Sequence, residues 1–195
     1  MGGRPYMLSE DKRIQTKAQL KEWLDVEYKR YPLAGRKYIS YLFQISEGAI
    51  MHKHTKLLRT AEYHTNAGHK LRAFFWRTRL MRFQMKRNLH IPMNSFGKGL
   101  CVYHCLTVAG NGNITVGENC RIMPGVYLAG DDINDKAPVI GDNVTLGIGC
   151  IIMGDVYLAD GITVGAGAVV TRSFYEKGIS IAGVPAKKIS GPKFQ

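Results

Sequence analysis

One histidine, His104, stands apart from the other five histidines of the sequence, which all lie between residues 52 and 90. Imidazole titrates near neutral pH, so it can take a proton from a hydroxyl group and return it to a leaving group. Cys101 and Cys105 flank this position, and two further cysteines lie at Cys120 and Cys150. Because their spacing gives no pair of C-x-x-C motifs, we expect reduced thiols rather than a zinc site. His104 is therefore a candidate general base, and a structural or merely exposed histidine is the alternative.

The elements that must position His104 come from a six-residue repeat. Aliphatic side chains recur every six or twelve residues, at Val116, Ile122, Leu128, Ile140, Leu146, Ile152, Leu158, Val164 and Val170. A smaller residue stands four positions after many of them, as at Cys120, Val144 and Cys150, and Gly or Ala often follows directly, as a tight corner needs. Six residues make one flat side and one corner, so three such units close a triangular coil that stacks on the next at about 4.8 Å. The sequence predicts a parallel β-helix.

Two irregularities interrupt the repeat. The interval between Leu128 and Ile140 contains AGDDINDKAP, which is polar and turn-forming and predicts a loop over residues 129–139 that leaves the coil and returns in register. Upstream of residue 116, the aliphatic spacing continues only after a two-residue slip, through Ile114, Val108, Val102 and Phe96. In that register His104 is a corner residue that points outward.

The chain before residue 92 has a different composition. Residues 16–88 are rich in Lys, Arg, Leu, Tyr and Trp, with apolar residues at helical spacing such as Leu20, Trp23 and Leu24. Breaks between helices are predicted near residues 32–35, 47–48 and 66–68. The sequence therefore predicts a basic α-helical N-terminal region over residues 1–91 and a β-helix domain over residues 92–195.

The formal charge of +12 is concentrated in the helical region. Between residues 51 and 90, ten lysines and arginines accompany a single acid, Glu62. Such a segment attracts nucleic acid, an anionic lipid surface or a phosphorylated ligand, and a solvated helix face is the alternative. Nucleic acid is disfavoured as a partner because no RNA-binding signature or recognition-helix motif accompanies the basic residues. Their charge could equally serve an anionic membrane surface. With neither an export signal nor a run of eighteen apolar residues, we expect a cytoplasmic protein with, at most, peripheral membrane contact.

Three stretches resemble the hexapeptide-repeat acyltransferases, whose fold is a left-handed parallel β-helix. They are VYHCLTVAGNGNITVGENC, PVIGDNVTLGIGCIIMGDVYLADGITVGAGAVVTRSF and IAGVPAKKI. The resemblance is closest to the serine acetyltransferase-like branch that includes surface-polysaccharide O-acetyltransferases. It implies transfer of an acetyl group from acetyl-CoA to a hydroxyl, without a metal, by a homotrimer whose active sites lie between subunits.

The resemblance also implies roles for individual residues. His104 matches the catalytic base. The pantetheine arm of acetyl-CoA is expected at the backbone of Ile148 and Ala166, and its adenine and phosphate end near Thr171, Arg172 and Lys187. Acceptor-binding residues are expected beside the base and in the 129–139 loop, at Tyr103, Asp131, Asp132 and Lys136.

Departures from the family pattern bear on the acceptor. In serine acetyltransferases an Asp precedes the catalytic His, an Arg-His pair lies in the loop and an upstream Asp orients the base. The corresponding positions here are Tyr103, Lys136 with Ala137, and Leu89. We therefore expect a sugar hydroxyl as acceptor, with serine O-acetyltransferase and a non-catalytic β-helix binding or scaffold protein as alternatives.

One other enzyme class with this fold is excluded by its ligands. A γ-class carbonic anhydrase holds zinc with three histidines on adjacent coils, whereas this repeat offers one. The residue that orients His104 is not identifiable from the sequence.

Overall fold

The structure is a computed structural model that describes residues 8–31, 43, 46–104, 108–110, 113–130 and 136–191. A short 3-10 helix, Glu10–Lys12, and three α-helices precede a stack of short strands. The helices are α1 (Lys17–Tyr28), α2 (Glu47–Asn66) and α3 (Lys70–Met85). Among the described residues, no helix has the length and apolar character needed to cross a membrane.

The strands form three sheets that make the three sides of a triangular coil. In chain order they are β1 (Leu89–His90), β2 (Cys101–Val102), β3 (Val108–Gly110), β4 (Thr115–Val116), β5 (Arg121–Ile122), β6 (Tyr127–Ala129), β7 (Val139–Ile140), β8 (Thr145–Leu146), β9 (Ile151–Met153), β10 (Tyr157–Leu158), β11 (Thr163–Val164), β12 (Val169–Val170), β13 (Ser180–Ala182) and β14 (Lys187–Ser190). Sheet I has the order β1-β3-β6-β9-β12, sheet II β4-β7-β10 and sheet III β2-β5-β8-β11-β13-β14. Every pairing is parallel except β13 with β14. The prediction of a mainly β solenoid preceded by helices is confirmed.

The six-residue repeat predicts the core correctly. All nine aliphatic residues of the repeat, from Val116 to Val170, are at most 2% exposed. The smaller residues between them, including Cys120, Val144 and Cys150, are completely buried. Each buried aliphatic side chain contributes roughly 1.5–3 kcal/mol to folding, before the entropy cost of ordering the chain.

The glycines that follow the aliphatic residues were predicted to form tight corners, but the structure gives a different reason for them. A Cβ on Gly117 would lie 2.7 Å from the backbone of Gly141 in the next coil, so this position is kept free of a side chain by close stacking. The left-handed corner conformation falls two residues later instead, at Asn119 and Asn143 with φ of 57° and 58°.

The register near His104 differs from the prediction. Val102 pairs with Ile122, but Gly110 pairs with Leu128, so eight residues separate these two inward positions and Val108 is not in register. Ile114 explains why a glycine fits at the inward position: a Cβ on Gly110 would lie 2.5 Å from the Cδ1 atom of Ile114, which occupies that space. The two extra residues therefore enter the coil between Val102 and Gly110, the segment that contains His104.

A buried ionic network fixes the helices to the first coil. Arg59 of α2 is completely buried and donates to Glu27 at 2.6 Å and to Glu62 at 2.9 Å. It also donates to the carbonyl oxygens of Phe96 and Gly97 at 3.0 and 2.9 Å. Burial raises the pKa of Glu62, although the Arg59 guanidinium opposes this shift. Arg59 is thus a structural residue and does not belong to the exposed basic surface that the charge count implied.

Local sequence explains where the helices begin and end. Thr16 caps α1 in a capping box with Gln19, and the Ser46 hydroxyl accepts the Ala49 N–H at 3.3 Å at the start of α2. The predicted breaks near residues 47–48 and 66–68 coincide with the start and end of α2. The break near residues 32–35 lies outside the described residues. The domain boundary at residue 92 stays a prediction; β1, at Leu89–His90, already pairs with β3 of sheet I.

Candidate active site

One edge of the triangular coil brings His104 into line with two of the predicted acetyl-CoA positions. In sheet III, Val102, Ile122, Leu146, Val164 and Ile181 are paired across successive strands. Two residues beyond each of them lies a corner, and at the first four of these corners the chain passes to sheet I. We call these five corner residues the corner line: His104, Pro124, Ile148, Ala166 and Gly183.

Backbone hydrogen bonds join the corner line along the coil axis. The Gly149 N–H donates to the carbonyl oxygen of Pro124 at 2.8 Å, and the Gly167 N–H donates to that of Ile148 at 2.8 Å. Since adjacent strands lie about 4.8 Å apart, His104 is two strands, or roughly 10 Å, from Ile148. An extended chain lying along this edge would therefore pass Ile148 and Ala166 and end near the imidazole.

A carboxylate from the helical region holds the His104 ring. The Nδ1 atom of His104 lies 3.0 Å from the Glu47 carboxylate. Glu47 is the first residue of α2, where the positive end of the helix dipole favours a negative charge. The two side chains remain 61% and 45% exposed, so the ring is oriented without being enclosed.

This contact assigns the tautomer of His104. A carboxylate only accepts hydrogen bonds, so in the neutral ring Nδ1 carries the proton and Nε2 carries the lone pair. Nε2 is the atom that a general base uses, with the carboxylate stabilising the imidazolium as it forms. The backbone φ of 60° at His104 is uncommon outside glycine and accompanies the departure of the chain from sheet III.

Tyr103 and Cys101 lie beside the base. Tyr103 is 39% exposed. The pKa of its phenol is raised, mainly by the charge of the neighbouring Cys101 thiolate and secondly by partial burial. Burial raises the pKa of the Cys101 thiol, so it stays protonated and is a poor nucleophile. The guanidinium groups of Arg30 and Arg121 lie near enough to act electrostatically on both of these side chains.

The other cysteines of the coil are also inert. Cys120 and Cys150 are completely buried in the coil interior. Burial raises the pKa of each thiol to about 12. They pack as small apolar residues, as the repeat predicts. Cys105 lies outside the described residues.

The remaining predicted residues divide between two corners of the coil. Lys187, in β14, pairs with Ala182 next to Gly183, at the far end of the corner line. Thr171 and Arg172 follow β12 at the corner between sheets I and II, which we call the second corner. Lys136 is held there too, 3.2 Å from Asp155. Within one chain, therefore, His104 and Lys136 lie on different edges of the triangle.

The corner line has free backbone groups that suit a polar, extended arm. Ile148 is 59% exposed, and Ala166 is also exposed. Within the described part of the chain, the N–H groups of both residues have no backbone partner, whereas those of Gly149 and Gly167 do. A Cβ on Gly149 or Gly167 would meet nothing within 4 Å, so the edge is open.

Part of the coil is similar to a known family of proteins. Residues 137–172, which contain Ile148, Ala166, Thr171 and Arg172, match a family model described as bacterial transferase hexapeptide (six repeats). This part of the coil is therefore similar to the bacterial transferase hexapeptide repeats.

Solved structures of serine acetyltransferases have a similar fold to this chain. The enzyme of Brucella abortus strain S19 is 21% identical in sequence and superposes with a TM-score of 0.66. The match covers 91% of this chain and 71% of the Brucella chain. Its complex with coenzyme A is 20% identical, covering 92% and 71%, with the same TM-score. The Neisseria gonorrhoeae enzyme is 23% identical, covering 92% and 70%, with a TM-score of 0.66.

Glu47, Arg30 and Arg121 were not predicted from the sequence. Glu47 lies 57 positions before His104, and only its place at the start of a capped helix marks it in the sequence. Asp131 and Asp132, predicted to bind the acceptor, lie outside the described residues. Among the residues that are described, no cluster of three or more His, Cys, Asp or Glu side chains is suited to a metal ion.

Proposed function

We propose that the protein is an acetyl-CoA-dependent O-acetyltransferase with His104 as its general base. The observation that carries the proposal is the pairing of His104 with Glu47 at one end of the corner line. Ile148 and Ala166, the expected contacts of the pantetheine arm, lie on the same edge. Two of the similar serine acetyltransferase structures are complexes with coenzyme A, which supports the choice of donor.

The reaction is a direct transfer between a thioester and a hydroxyl. The acceptor oxygen attacks the thioester carbonyl carbon while Nε2 of His104 removes the hydroxyl proton. As the carbon–sulfur bond breaks, the imidazolium returns that proton to the departing thiolate. Glu47 stabilises the imidazolium between these two steps. No cysteine is needed, which agrees with the raised pKa of Cys101.

We further propose that the active site is shared between subunits of a homotrimer in the cytoplasm. The predicted contacts divide between the corner line, with His104, and the second corner, with Lys136, Thr171 and Arg172. If the corner line of one subunit faces the second corner of the next, both sets of residues come together. Three-fold closure satisfies every such interface. A trimeric mass in multi-angle light scattering is the expected result.

A saccharide hydroxyl is the proposed acceptor, in surface-polysaccharide synthesis. Tyr103, at a position held by an acid in serine acetyltransferases, places a neutral aromatic surface next to His104, and sugar rings pack on such surfaces. Ala137, at a position held there by a histidine, is 5% exposed and offers no polar group. Lys136 remains half exposed at the second corner and can donate hydrogen bonds to hydroxyl groups.

L-Serine is the second candidate acceptor, and two observations favour it. Glu47 supplies the orienting carboxylate that the sequence comparison found missing at Leu89. Arg30 and Arg121 supply positive charge beside Tyr103, which suits the carboxylate of an amino acid as well as the phosphate of a nucleotide sugar.

A thiol-release assay with acetyl-CoA separates these possibilities. The panel contains L-serine, nucleotide sugars and oligosaccharides, with the acetylated product identified by mass spectrometry. We expect kcat/KM for a saccharide to exceed that for L-serine by at least about tenfold, or roughly 1.4 kcal/mol of transition-state preference. A higher value for L-serine would establish the second candidate. Thiol release with none of the acceptors would instead favour a non-catalytic β-helix.

A further inference from the structure

Helix α3 presents large apolar side chains to solvent. We call this row the outer stripe, and its members are 51–88% exposed: Leu71, Phe74, Phe75, Met81 and Met85. Successive residues of a helix are rotated by about 100°, so these five side chains fall within one third of the helix circumference. Ala73, Leu80 and Phe83, which pack into the protein, lie on the opposite side. The apolar face that points outward is thus separate from the face that stabilises the fold.

Positive charge borders the outer stripe on both sides, and one further base, Arg82, lies within it. The exposed bases of α3 are Lys70, Arg72, Arg77, Arg79 and Arg82. Lys86 and Arg87 follow, and residues 70–87 contain no acid, which gives a net charge of +7. Arg79 also lies over the rings of Phe75 and Trp76, at 5.4 and 5.8 Å. An apolar face with a basic border is the pattern of helices that lie in the headgroup region of a bilayer.

The apolar surface extends from the outer stripe into a groove. Met81 and Met85 also line a cavity of about 720 Å³ between α3 and sheet I. Its floor includes Ile91, Met93 and Leu128. The exposed apolar surface is therefore broader than one helix face and reaches the strands that lead into the 129–139 loop.

We propose that the outer stripe binds an anionic membrane surface, with α3 lying in the plane of the headgroups. The charge decides between this partner and a second copy of the chain. Two copies packed stripe to stripe would bring two borders of +7 together, which is unfavourable, whereas anionic lipids neutralise each border. At about 1.5 Å per residue, the 16 residues of α3 give a contact roughly 24 Å long.

Vesicle co-sedimentation of the full chain tests this proposal. Binding to phosphatidylcholine vesicles is compared with binding to vesicles of phosphatidylcholine and phosphatidylglycerol, at low and high salt. We expect binding to the anionic vesicles alone, weakened by salt. Phe74→Ser should weaken binding by about tenfold, because the substitution removes a phenyl ring that would be buried at the boundary of the acyl chains. Arg72→Glu should weaken it by roughly fivefold for each unit of charge changed, about 25-fold in total.

Matched variants control for exposure and charge. Tyr175 is 75% exposed against 74% for Phe74, so Tyr175→Ser removes an equally exposed aromatic ring away from α3. Lys29→Glu, after α1, reverses an exposed charge outside α3. Both controls should retain binding to within about twofold of the unmodified protein by the same assay. Equal loss in Tyr175→Ser and Phe74→Ser would overturn the proposal.

Two other partners are distinguished by the same proteins. If Phe74→Ser lowers the oligomeric mass in analytical ultracentrifugation, the outer stripe is a protein interface and the proposal is wrong. Tighter binding to duplex DNA than to anionic vesicles at equal salt would also refute it. All of these measurements are made without acetyl-CoA, so a negative result leaves the proposed acetyl transfer standing.

Discussion

Glu47→Gln is the most direct test of how His104 is positioned. The amide oxygen can still accept the Nδ1 hydrogen bond, so the substitution removes the charge while the side-chain shape is retained. The imidazolium formed during the reaction then loses an opposite charge about 4 Å away, which is worth about 1 kcal/mol in water and about 4 kcal/mol at an effective dielectric constant near 20. Both side chains are about half exposed in the single chain, which favours the lower half of that range.

We therefore expect kcat for acetyl transfer to fall by about 5-fold to 70-fold in Glu47→Gln. The KM for acetyl-CoA should stay unchanged, because Ile148 lies roughly 10 Å along the corner line from His104. Initial rates of thiol release at varied acetyl-CoA provide both values. Glu22→Gln is the control, since Glu22 forms a comparably exposed ion pair with Lys98, also at 3.0 Å.

A double-mutant cycle decides whether Glu47 acts through His104. His104→Ala alone should reduce kcat by roughly 10²–10⁴, as is typical for loss of a positioned general base. If Glu47 only orients that base, then adding Glu47→Gln to His104→Ala should cause little further loss. Equal losses in both backgrounds, or full activity in Glu47→Gln, would show that the 3.0 Å contact has no catalytic role.

Three further outcomes are expected. Arg59→Leu should lower the free energy of unfolding, measured in urea, by about 3–5 kcal/mol, because Glu27 and Glu62 lose their buried partner; a change below about 1 kcal/mol would contradict this role. Burial lowers the pKa of His54 to about 3, whereas an unfolded histidine titrates near 6.5. Below pH 6.5 the unfolded state therefore binds a proton that the folded state does not, so the free energy of unfolding is highest above pH 6.5 and decreases as the pH falls towards 3. His54→Leu should therefore flatten the dependence of unfolding free energy on pH between these values by roughly 1.4 kcal/mol per unit, and an unchanged slope would exclude His54 as the cause. Ala166→Trp should raise the KM for acetyl-CoA by at least about tenfold with little change in the unfolding midpoint, because Ala166 is exposed on the corner line; an unchanged KM would place the donor elsewhere.

The coil could be predicted from the sequence because its determinants are local and repeated. Every inward residue from Val116 to Val170 is set by a six-residue period, and all are buried as expected. The prediction failed at Val108, where a two-residue insertion is hidden by coincidence: valine fits the period, but glycine at 110 takes the inward position because Ile114 fills the space. Periodicity alone does not show that the side chain of another residue, here Ile114, occupies the space at a core position.

The candidate site was proposed from the sequence only where its residues belong to the repeat region. His104 was proposed from its residue type, its place in the repeat region and family resemblance, and Ile148 and Ala166 from family resemblance alone. Glu47 was not found, because its contact with His104 depends on how α2 is fixed to the first coil. That fixation depends on Arg59, a residue whose charge predicted an exposed position and whose partners, Glu27 and Glu62, give it a buried one.

Successive residues of the corner line are separated by one strand spacing, about 4.8 Å. Each position along it is one strand further from the base, and 18 residues separate Ile148 from Ala166. Removal of one complete coil would leave the stacking of its neighbours intact, yet would bring Lys187 about 4.8 Å closer to the imidazole. For the proposed acetyl-CoA donor, the number of coils between Lys187 and His104 would therefore set the length of acyl carrier that fits this edge, independently of the side chains that contact the acceptor.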